Sequence, residues 1–308
     1  METISIVLSV RNEETKLGRT LSSVSWADEI IVMDNESTDT TGAIAKKHGA
    51  KVFIGKNNPM LNKNKNLGFT KAHSDWILSL DGDEVVSPEL VKEIQSIIHS
   101  PVNPLTHPSD AVGYWIPRKN ILFGKWIQHG LWWPDKQLRL FRRGMGSFPC
   151  MHVHEYLALD GVALDLSNPI VHYNYETVSQ FIRKMDEIYT PSEVDKHLGS
   201  GYRVVWYDAL RFPFSDFLKT YFAQAGHKDG LHGLALSMLQ AMYSFVVFMK
   251  LWEREKFTEF DISIDRMEQE FTRTNKELLY WMLSAKIHET TNTMKQLWYR
   301  VVRKSAGI

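Results

Sequence analysis

The first 81 residues alternate short apolar runs with segments of helical pattern, and this alternation constrains the fold more than any other feature. Four runs rich in β-branched and aliphatic residues are predicted to be buried strands; they span 3–10, 29–33, 51–54 and 75–80. Helical segments separate them and end near Val24, His48 and Ala72. Strands that alternate with helices at this spacing favour parallel pairing through crossover helices. The sequence therefore predicts an α/β protein with an open, mostly parallel sheet and helices on both faces.

Charged side chains follow the predicted strands at the points where those strands end. Arg11 and Glu13 follow the first strand, Asp34 follows the second, and Asp81 and Asp83 follow the fourth. In open parallel sheets, ligands bind at the carboxyl ends of the strands. We therefore expect these side chains to share one binding edge.

The segment Asp81-Gly-Asp83-Glu84 is the most informative motif for chemistry. Two carboxylates spaced two residues apart on a tight turn offer the hard oxygen ligands that Mg²⁺ or Mn²⁺ prefers, and Gly82 removes side-chain bulk beside a ligand. An isolated Asp-x-Asp is common in surface turns. The position after a buried strand, beside other strand-end acids, favours a metal site.

Several stretches together resemble a known family. They are Val10-Arg-Asn-Glu-Glu14, Ile31-Val-Met-Asp34-Asn-Glu-Ser-Thr-Asp39, Asn64-Lys-Asn-Leu-Gly68 and Leu80-Asp-Gly-Asp83-Glu84. With them, residues 1–100 resemble an inverting family 2 glycosyltransferase of the GT-A fold. Later pieces are similar to the subgroup of lipopolysaccharide-core β-glucosyltransferases: Gln137-Leu-Arg-Leu-Phe-Arg-Arg143, Val153-His-Glu155 and His172-Tyr-Asn-Tyr175. The resemblance extends to about residue 252.

The resemblance implies a donor site for a nucleotide sugar, with a UDP-sugar as the expected donor. Asp34 would contact the base, and Val10, Arg11 and Glu13 would lie near the base and ribose. Lys65 would reach the base or the diphosphate, although a solvated lysine on a helix has the same local pattern. Asp81 would lie near the ribose and the sugar.

The resemblance also implies a divalent metal, Mg²⁺ or Mn²⁺, that bridges the diphosphate leaving group. Asp83 would hold this ion, and His172 would be a second ligand. His152, His154 and His172 also admit a zinc site, but His-x-His spacing is more often structural. The single cysteine, Cys150, excludes an intrachain disulfide framework and a cysteine-based zinc site.

An inverting transfer needs a base that removes the proton of the acceptor hydroxyl. The Val-His-Glu resemblance points to Glu155. Asp135 and Asp160 remain rivals, and a glutamate beside two histidines could instead be an ion-paired surface residue.

The charge distribution separates two segments of opposite sign. Lys and Arg number 36 against 36 Asp and Glu in the whole chain, which argues against a nucleic-acid-binding protein. Residues 75–99 carry a net charge of −5, and residues 118–143 carry +6. The basic segment also contains three tryptophans and is predicted to face an acceptor glycan through Trp132, Trp133 and Arg139. Alternatively, the two segments neutralise each other within the fold.

From about residue 176 the chain becomes helical, and we expect three regions. Residues 1–175 are predicted to form the catalytic domain, with a nucleotide-binding half at 1–100 and an acceptor half at 101–175. Residues 176–252 are predicted to be an amphipathic helical region at a membrane interface, and residues 253–308 a helical tail that could mediate homo-oligomerisation.

The span 230–249 contains no Asp, Glu, Lys or Arg, so membrane contact is an expectation of the sequence. About 20 apolar residues are needed to cross a bilayer. His232, Gln240 and two serines dilute this span, which favours a helix lying in the interface over one that crosses it. A buried helix or an oligomer interface is the remaining alternative.

The combined prediction is a metal-dependent, inverting glycosyltransferase that transfers a sugar from a UDP-sugar to a membrane-associated glycan or lipid acceptor. The N-terminus shows no secretory signal pattern, so we expect a bacterial cytoplasmic protein held peripherally on the cytoplasmic face of the membrane. A peptide or protein glycosyltransferase and a non-catalytic sugar-nucleotide-binding assembly protein are the alternatives. A nucleotidyltransferase would usually show a glycine-rich N-terminal phosphate loop, which Val10-Arg-Asn-Glu-Glu14 lacks.

Overall fold

The computed structural model describes residues 1–58, 60, 62–99, 111–151 and 155–305. The chain divides into two compact units. The first unit contains residues 1–122 and 132–174, and the second contains residues 123–131 and 175–308.

The first unit contains most of the strands. In chain order from the N-terminus the elements are β1 (Ile4–Val10), α1 (Leu17–Ser23), β2 (Glu29–Asp34), α2 (Thr41–Lys47), β3 (Lys51–Ile54), α3 (Asn62–Phe69), β4 (Trp76–Asp81), β5 (Glu84–Val86), α4 (Pro88–His99), β6 (Ala111–Ile116) and β7 (Arg118–Leu122). After β8 (Lys125–Trp126), which belongs to the second unit, come β9 (Gln137–Arg142), β10 (Gly146–Ser147), β11 (Ala158–Leu159), β12 (Val162–Asp165) and β13 (Ile170–Tyr175).

The main sheet has the order β12-β6-β9-β4-β1-β2-β3. Strands β4, β1, β2 and β3 pair in parallel, as do β12 and β6, whereas β9 runs antiparallel to both of its neighbours. The predicted mostly parallel sheet is therefore confirmed. In this arrangement β1, β2 and β4 end at the same edge, which places the residues after Val10, Asp34 and Asp81 together.

The two faces of the sheet carry separate apolar cores. Ile4, Ile6 and Leu8 of β1 pack on one face with residues of α1, α2 and α4. Val7 points to the other face, where it packs with Phe69 of α3 and with residues of β2 and β9. This alternation follows from the two-residue period of a strand. The prediction of helices on both faces is confirmed.

A smaller sheet places β13 between β5 and β7. Strand β13 runs antiparallel to β5, with Ile170 opposite Val86 and His172 opposite Glu84. The backbone N–H of Tyr173 donates to the carbonyl oxygen of Asp83 at 3.0 Å. This pairing brings β13 to the turn that follows β4.

The second unit is helical, in agreement with the predicted helical C-terminal region. Its helices are α5 (Val178–Lys184), α6 (Thr190–Gly199), α7 (Asp208–Leu218), α8 (Leu231–Arg254), α9 (Ile264–Glu289) and α10 (Thr293–Ser305). Val194 of α6 packs with Val247, Phe248 and Leu251 of α8 in the core of this unit. Within the described part of the chain, α8 alone has the length and apolar composition needed to cross a membrane.

Candidate active site

The loops that follow β1 and β2 are joined by hydrogen bonds between their backbones and side chains. The N–H of Asn35 donates to the carbonyl of Val10 at 2.9 Å. Asn12 donates its N–H to Ser37 Oγ at 3.0 Å and accepts from the N–H of Thr38 at 2.8 Å. Because these loops are fixed against each other, they hold the strand-end residues in place.

Asp34 lies in this loop pair, 5% exposed, and its Oδ1 accepts from the N–H of Ser37 at 2.9 Å. A Cβ added at Gly42 would lie 2.9 Å from Asp34 Oδ2, so glycine leaves the space that this carboxylate uses. Val10 is buried, Arg11 is exposed and Glu13 is half-buried. The structure thus gathers four of the predicted donor-site residues at one edge of the sheet.

Asn35 and Asn64 belong to the family motifs, although neither was predicted as a site residue. Together they position helix α3 against β2. Asn64 Nδ2 donates to Asn35 Oδ1 at 2.7 Å and to the carbonyl of Lys56 at 2.8 Å. Gly68 lets the same helix approach the sheet, because a Cβ there would lie 2.6 Å from Val7 Cγ1. Because these contacts fix the position of α3, they also fix the position of Lys65, which follows Asn64 in this helix.

Lys65 and Arg139 both contact the carboxylate of Asp81. Lys65 Nζ lies 2.6 Å from Asp81 Oδ1, and Arg139 Nη2 lies 2.6 Å from Asp81 Oδ2. Burial alone would raise the pKa of Asp81, but the two cations outweigh it and hold that pKa well below its usual range. Asp81 is therefore an anion near neutral pH. Its side chain keeps 31% exposure, enough to meet a ligand.

Arg139 lies under the site. Only 4% of it is exposed, and its Nη2 also donates to Glu84 Oε1 at 2.8 Å. Glu84 is fully buried, and its other oxygen accepts from the N–H of Asp81 at 2.9 Å. The antiparallel strand β9 carries Arg139 to this position, where it neutralises two carboxylates. Its predicted contact with an acceptor stays a prediction.

Asp83 and His172 lie side by side, because β13 pairs with β5. Asp83 is 6% exposed and His172 8% exposed, with His172 Nε2 3.5 Å from Asp83 Oδ1. Lys16 Nζ lies 3.6 Å from Asp83 Oδ2 and donates to the carbonyl of Tyr173 at 3.3 Å. Lys16 was not singled out from the sequence, since a lysine after the first strand gives no local sign of its distant partner.

The Asp83–His172 pair suits a divalent cation. A carboxylate oxygen and an imidazole nitrogen are donors that Mn²⁺ accepts, and Mg²⁺ accepts the former readily. Over the described ranges, no group of three His, Cys, Asp or Glu comes together as a complete metal cage. An ion held by these two donors alone would keep coordination positions open for other ligands. His152 and His154, which entered the zinc alternative, lie outside the described residues.

Glu155 is held against the turn at Cys150. Its Oε1 accepts from the N–H of Cys150 at 2.7 Å and from Asn62 Nδ2 at 2.9 Å. Its Oε2 accepts from the N–H of Met151 at 2.9 Å. These donors fix the carboxylate and would compete with an acceptor hydroxyl, so its role as base stays a prediction.

The rivals of Glu155 differ in their surroundings. Asp135 Oδ2 is ion-paired with Arg118 Nη2 at 2.7 Å, whereas Asp160 is exposed. The predicted acceptor-side residues Trp132 and Trp133 are half-buried in the first unit.

Comparison with known proteins gives the same family as the motifs. Residues 5–158 match the family described as "Glycosyl transferase family 2". The lipopolysaccharide core biosynthesis glycosyltransferase LpsC of Rhizobium meliloti (strain 1021) is 25% identical over 257 residues, covering 82% of this chain and 92% of LpsC. The uncharacterised glycosyltransferase RT0209 of Rickettsia typhi is 27% identical over 266 residues, covering 82% of this chain and 88% of RT0209.

Two solved structures align with the chain at low identity. The Staphylococcus aureus protein TarS, residues 1–349 in complex with UDP, aligns with a TM-score of 0.42 and 15% identity, covering 85% of this chain and 94% of that one. Glucosyl-3-phosphoglycerate synthase of Mycobacterium tuberculosis, in complex with Mn²⁺, UDP and glucosyl-3-phosphoglycerate, aligns with a TM-score of 0.43 and 17% identity, covering 66% and 81%.

Proposed function

The chain belongs to glycosyl transferase family 2, and from this premise we propose that it is a metal-dependent, inverting enzyme that transfers a sugar from a UDP-sugar to a membrane-associated glycan or lipid. The observation that carries the proposal is the pair of Asp83 Oδ1 and His172 Nε2, 3.5 Å apart, beside the turn after β4. We assign the transfer to residues 1–175. Within that range, 1–100 would bind the donor and 101–175 the acceptor.

The donor site in this proposal follows the edge of the sheet. Val10, Arg11 and Glu13 flank Asp34, which would meet the base. Asp81 would meet the ribose and sugar. Asp81 is neutralised by Lys65, whose Nζ lies 2.6 Å from Asp81 Oδ1. When a diphosphate binds, the same lysine can turn its charge toward the phosphate oxygens, since an ammonium is a mobile point charge on a flexible stem.

Asp83 and His172 would hold Mg²⁺ or Mn²⁺. When bound, this ion supplies positive charge to the diphosphate as the bond to the sugar breaks. The chain's own residues then position the donor. The family resemblance and the chemistry of this donor pair support the assignment.

Acceptor activation in this proposal falls to Glu155. The acceptor hydroxyl attacks the anomeric carbon from the face opposite the diphosphate, so a new C–O bond forms while the bond to the diphosphate oxygen breaks. The carboxylate of Glu155 takes the hydroxyl proton in this step. Trp132 and Trp133 would stack on the acceptor sugar. Arg139 would contribute indirectly, by holding the carboxylate of Asp81 in position and balancing its charge.

An envelope glycan is the favoured acceptor class. The relative LpsC is named as a lipopolysaccharide core biosynthesis enzyme. The helical residues 176–252 and 253–308 would then hold the enzyme at the cytoplasmic face of a bacterial membrane, where such acceptors are built.

Helix α8 supplies one apolar surface for this attachment. Leu231, Leu234, Met238 and Phe245 recur at three-, four- and seven-residue spacings and are 78%, 37%, 56% and 41% exposed. The other face of the helix packs into the second unit. This pattern fits a helix whose outer face enters the lipid interface.

Helix α10 supplies a second apolar surface, and its positive charge favours anionic lipids. Its exposed apolar residues recur at three- and four-residue spacings; they are Met294, Leu297, Trp298 and Val301. The helix contains no Asp or Glu, and its exposed cations are Lys295, Arg300 and Lys304, whereas Arg303 contacts Ser284 and Tyr280 of α9. Cations beside an apolar face favour anionic lipid, at about 1 kcal/mol per Lys or Arg. Two copies of this face would repel each other, which disfavours direct pairing of α10 helices.

Donor turnover tests the proposed function directly. Purified protein is incubated with a panel of UDP-sugars and Mn²⁺ or Mg²⁺, and released UDP is measured with and without lipopolysaccharide-core acceptors. We expect slow hydrolysis without acceptor, faster release with one, and loss of both in chelator. Full activity in chelator would reject the metal role. Donor binding without turnover under any acceptor would favour a binding protein, and turnover only with peptides would favour a protein glycosyltransferase.

A further inference from the structure

Asn120 of β7 lies between His172 and an anchored hydrogen-bond network. We propose that Asn120 is a positioning residue that holds His172 in the tautomer with the proton on Nδ1, so that Nε2 presents a lone pair beside Asp83. The inference rests on the proposed function in one respect, the use of His172 as a metal ligand.

The orientation of the Asn120 amide is fixed by two acceptors. Asn120 is fully buried, and its Nδ2 donates to the carbonyl oxygen of Trp132 at 2.8 Å and to Asp135 Oδ2 at 2.9 Å. A flipped amide would place Oδ1 against these two acceptor oxygens and remove the hydrogen bonds that Nδ2 donates to them, which is costly for buried groups. The carbonyl Oδ1 must therefore face His172.

The amide orientation in turn fixes the histidine tautomer. Asn120 Oδ1 lies 2.7 Å from His172 Nδ1. A carbonyl oxygen can only accept, so Nδ1 must carry the hydrogen. In the neutral imidazole the second nitrogen, Nε2, is then unprotonated. This is the nitrogen that lies 3.5 Å from Asp83 Oδ1.

The anchor of this network is Asp135. Its Oδ2 accepts from Arg118 Nε at 2.9 Å and lies 2.7 Å from Arg118 Nη2. Its Oδ1 accepts from Gln137 Nε2 at 3.1 Å. The oxygens of Asp135 thus already accept hydrogen bonds from Arg118, Asn120 and Gln137. These contacts give Asp135 a structural role, which differs from that of a catalytic base.

The consequence for metal binding follows from electrostatics. In the neutral ring the lone pair on Nε2 and the carboxylate of Asp83 repel each other, and both atoms would be available as ligands for a divalent ion. The opposite tautomer would direct an Nε2–H toward Asp83 and close the site. Partners that orient a ligating histidine typically change metal affinity by 10–100-fold.

Nuclear magnetic resonance measures the tautomer without activity. Two-bond ¹H–¹⁵N correlations of uniformly ¹⁵N-labelled, metal-free protein, recorded at a pH where the histidine rings are neutral, distinguish protonated from unprotonated ring nitrogens. The His172 signals are those lost in His172→Gln. We expect Nδ1 protonated and Nε2 unprotonated in the wild type. Observation of the Nε2–H tautomer would overturn the inference.

Asn120→Ala tests the positioning role. We expect its His172 signals to lose the single tautomer, and Mn²⁺ affinity in the presence of UDP, measured by electron paramagnetic resonance, to fall by about 10–100-fold. Asn66→Ala is the matched control, since Asn66 makes paired hydrogen bonds with the backbone of Phe148 at 2.8 and 2.9 Å. The control should keep the His172 tautomer and the Mn²⁺ affinity even if stability falls.

Two further outcomes separate the inference from the proposed function. An Asn120→Ala protein that keeps both the tautomer and the affinity would overturn the inference, and if this variant does not fold, the wild-type spectrum alone decides the tautomer. A wild-type protein that binds no Mn²⁺ would overturn the metal part of the proposed function, and with it the ligand role of His172.

Discussion

Lys65 Nζ on helix α3 lies 2.6 Å from Oδ1 of Asp81 at the end of β4, so a lysine from one element neutralises a carboxylate from another. Arg139 holds the other oxygen of Asp81 from below. Lys65 is somewhat more exposed than Arg139, with 12% against 5% of the side chain accessible, so Lys65 is the better candidate for contact with the diphosphate of the proposed donor.

Lys65→Met is expected to raise the KM for the UDP-sugar by about tenfold, which corresponds to roughly 1.4 kcal/mol of lost interaction. Steady-state kinetics with varied donor provides the measurement. Lys63→Met is the control, because Lys63 is exposed on the same helix. Equal KM values for the two variants would remove Lys65 from the donor site.

Lys65→Met should also change how the free energy of unfolding depends on pH in the acid range. The pKa of Asp81 is lowered in the folded protein, so ionised Asp81 contributes stability above the ordinary aspartate pKa and this contribution is lost as pH falls through the lowered folded value. With one cation removed, the folded-state pKa of Asp81 should rise toward its ordinary range, so the loss of stability in acid should be smaller and should end at a higher pH. Urea unfolding across the acid range would reveal the shift. An unchanged pH profile would show that Arg139 alone sets the pKa.

Asp83→Ala is expected to abolish donor hydrolysis and transfer and to weaken Mn²⁺ binding, because it removes the oxygen donor of the proposed metal pair. Calorimetric titration with Mn²⁺ and UDP separates binding from turnover. Asp165→Ala is a suitable control, since Asp165 is an exposed carboxylate paired with Lys136 at 2.8 Å. Retained Mn²⁺ affinity in Asp83→Ala would place the ion elsewhere.

Glu155→Gln is expected to keep UDP binding and lower the rate of transfer by about 10²–10⁴-fold, the usual contribution of a general base. The amide oxygen can still accept from one of the N–H groups of Cys150 and Met151, which contact different oxygens of the carboxylate, so the turn should lose one hydrogen bond and keep the other. Thermal unfolding checks this point. Near-normal transfer by the glutamine variant would show that the carboxylate serves the turn alone, and Asp160→Asn would be the next variant to measure.

Gly68→Ala is expected to destabilise the protein by about 1–3 kcal/mol, because the new Cβ would lie 2.6 Å from Val7 Cγ1 and 3.0 Å from Met33 Cγ. Gly199→Ala is the matched control, since its Cβ would meet nothing within 4 Å. Denaturant unfolding of both variants tests the close packing of α3 on the sheet. Equal stability would mean that α3 can move away from β1 at little cost.

Leu297→Glu combined with Trp298→Glu is expected to reduce sedimentation with vesicles containing phosphatidylglycerol, because both side chains lie on the exposed apolar face of α10. Binding of the wild type should fall as salt rises and should be weak on phosphatidylcholine alone. Thr272→Glu on the exposed surface of α9 controls for added negative charge. Undiminished vesicle binding by the double variant would exclude α10 as the contact, and loss of oligomers instead would identify a second copy as its partner.

The strand-end part of the site follows from local sequence. The four apolar runs predict β1 to β4, because each run supplies the apolar side chains that one buried strand needs. Parallel strands then bring their carboxyl ends to one edge of the sheet. Asp34, Asp81 and Asp83 could therefore be assigned to one edge without coordinates. The family motifs added Lys65, although its partner Asp81 lies on a different element.

The family resemblance implied His172 as a second ligand beside Asp83, but the contacts between distant strands depend on the tertiary structure. His172 reaches Asp83 because β13 pairs antiparallel with β5, and Arg139 reaches Asp81 because β9 inserts antiparallel between β6 and β4. Asn120 and Asp135 acquire their use only when β7 lies beside β13. Local periodicity encodes the elements, since each element must bury its own apolar face. The pairing of distant strands depends on how all the elements pack together, and no short stretch of the sequence contains that information.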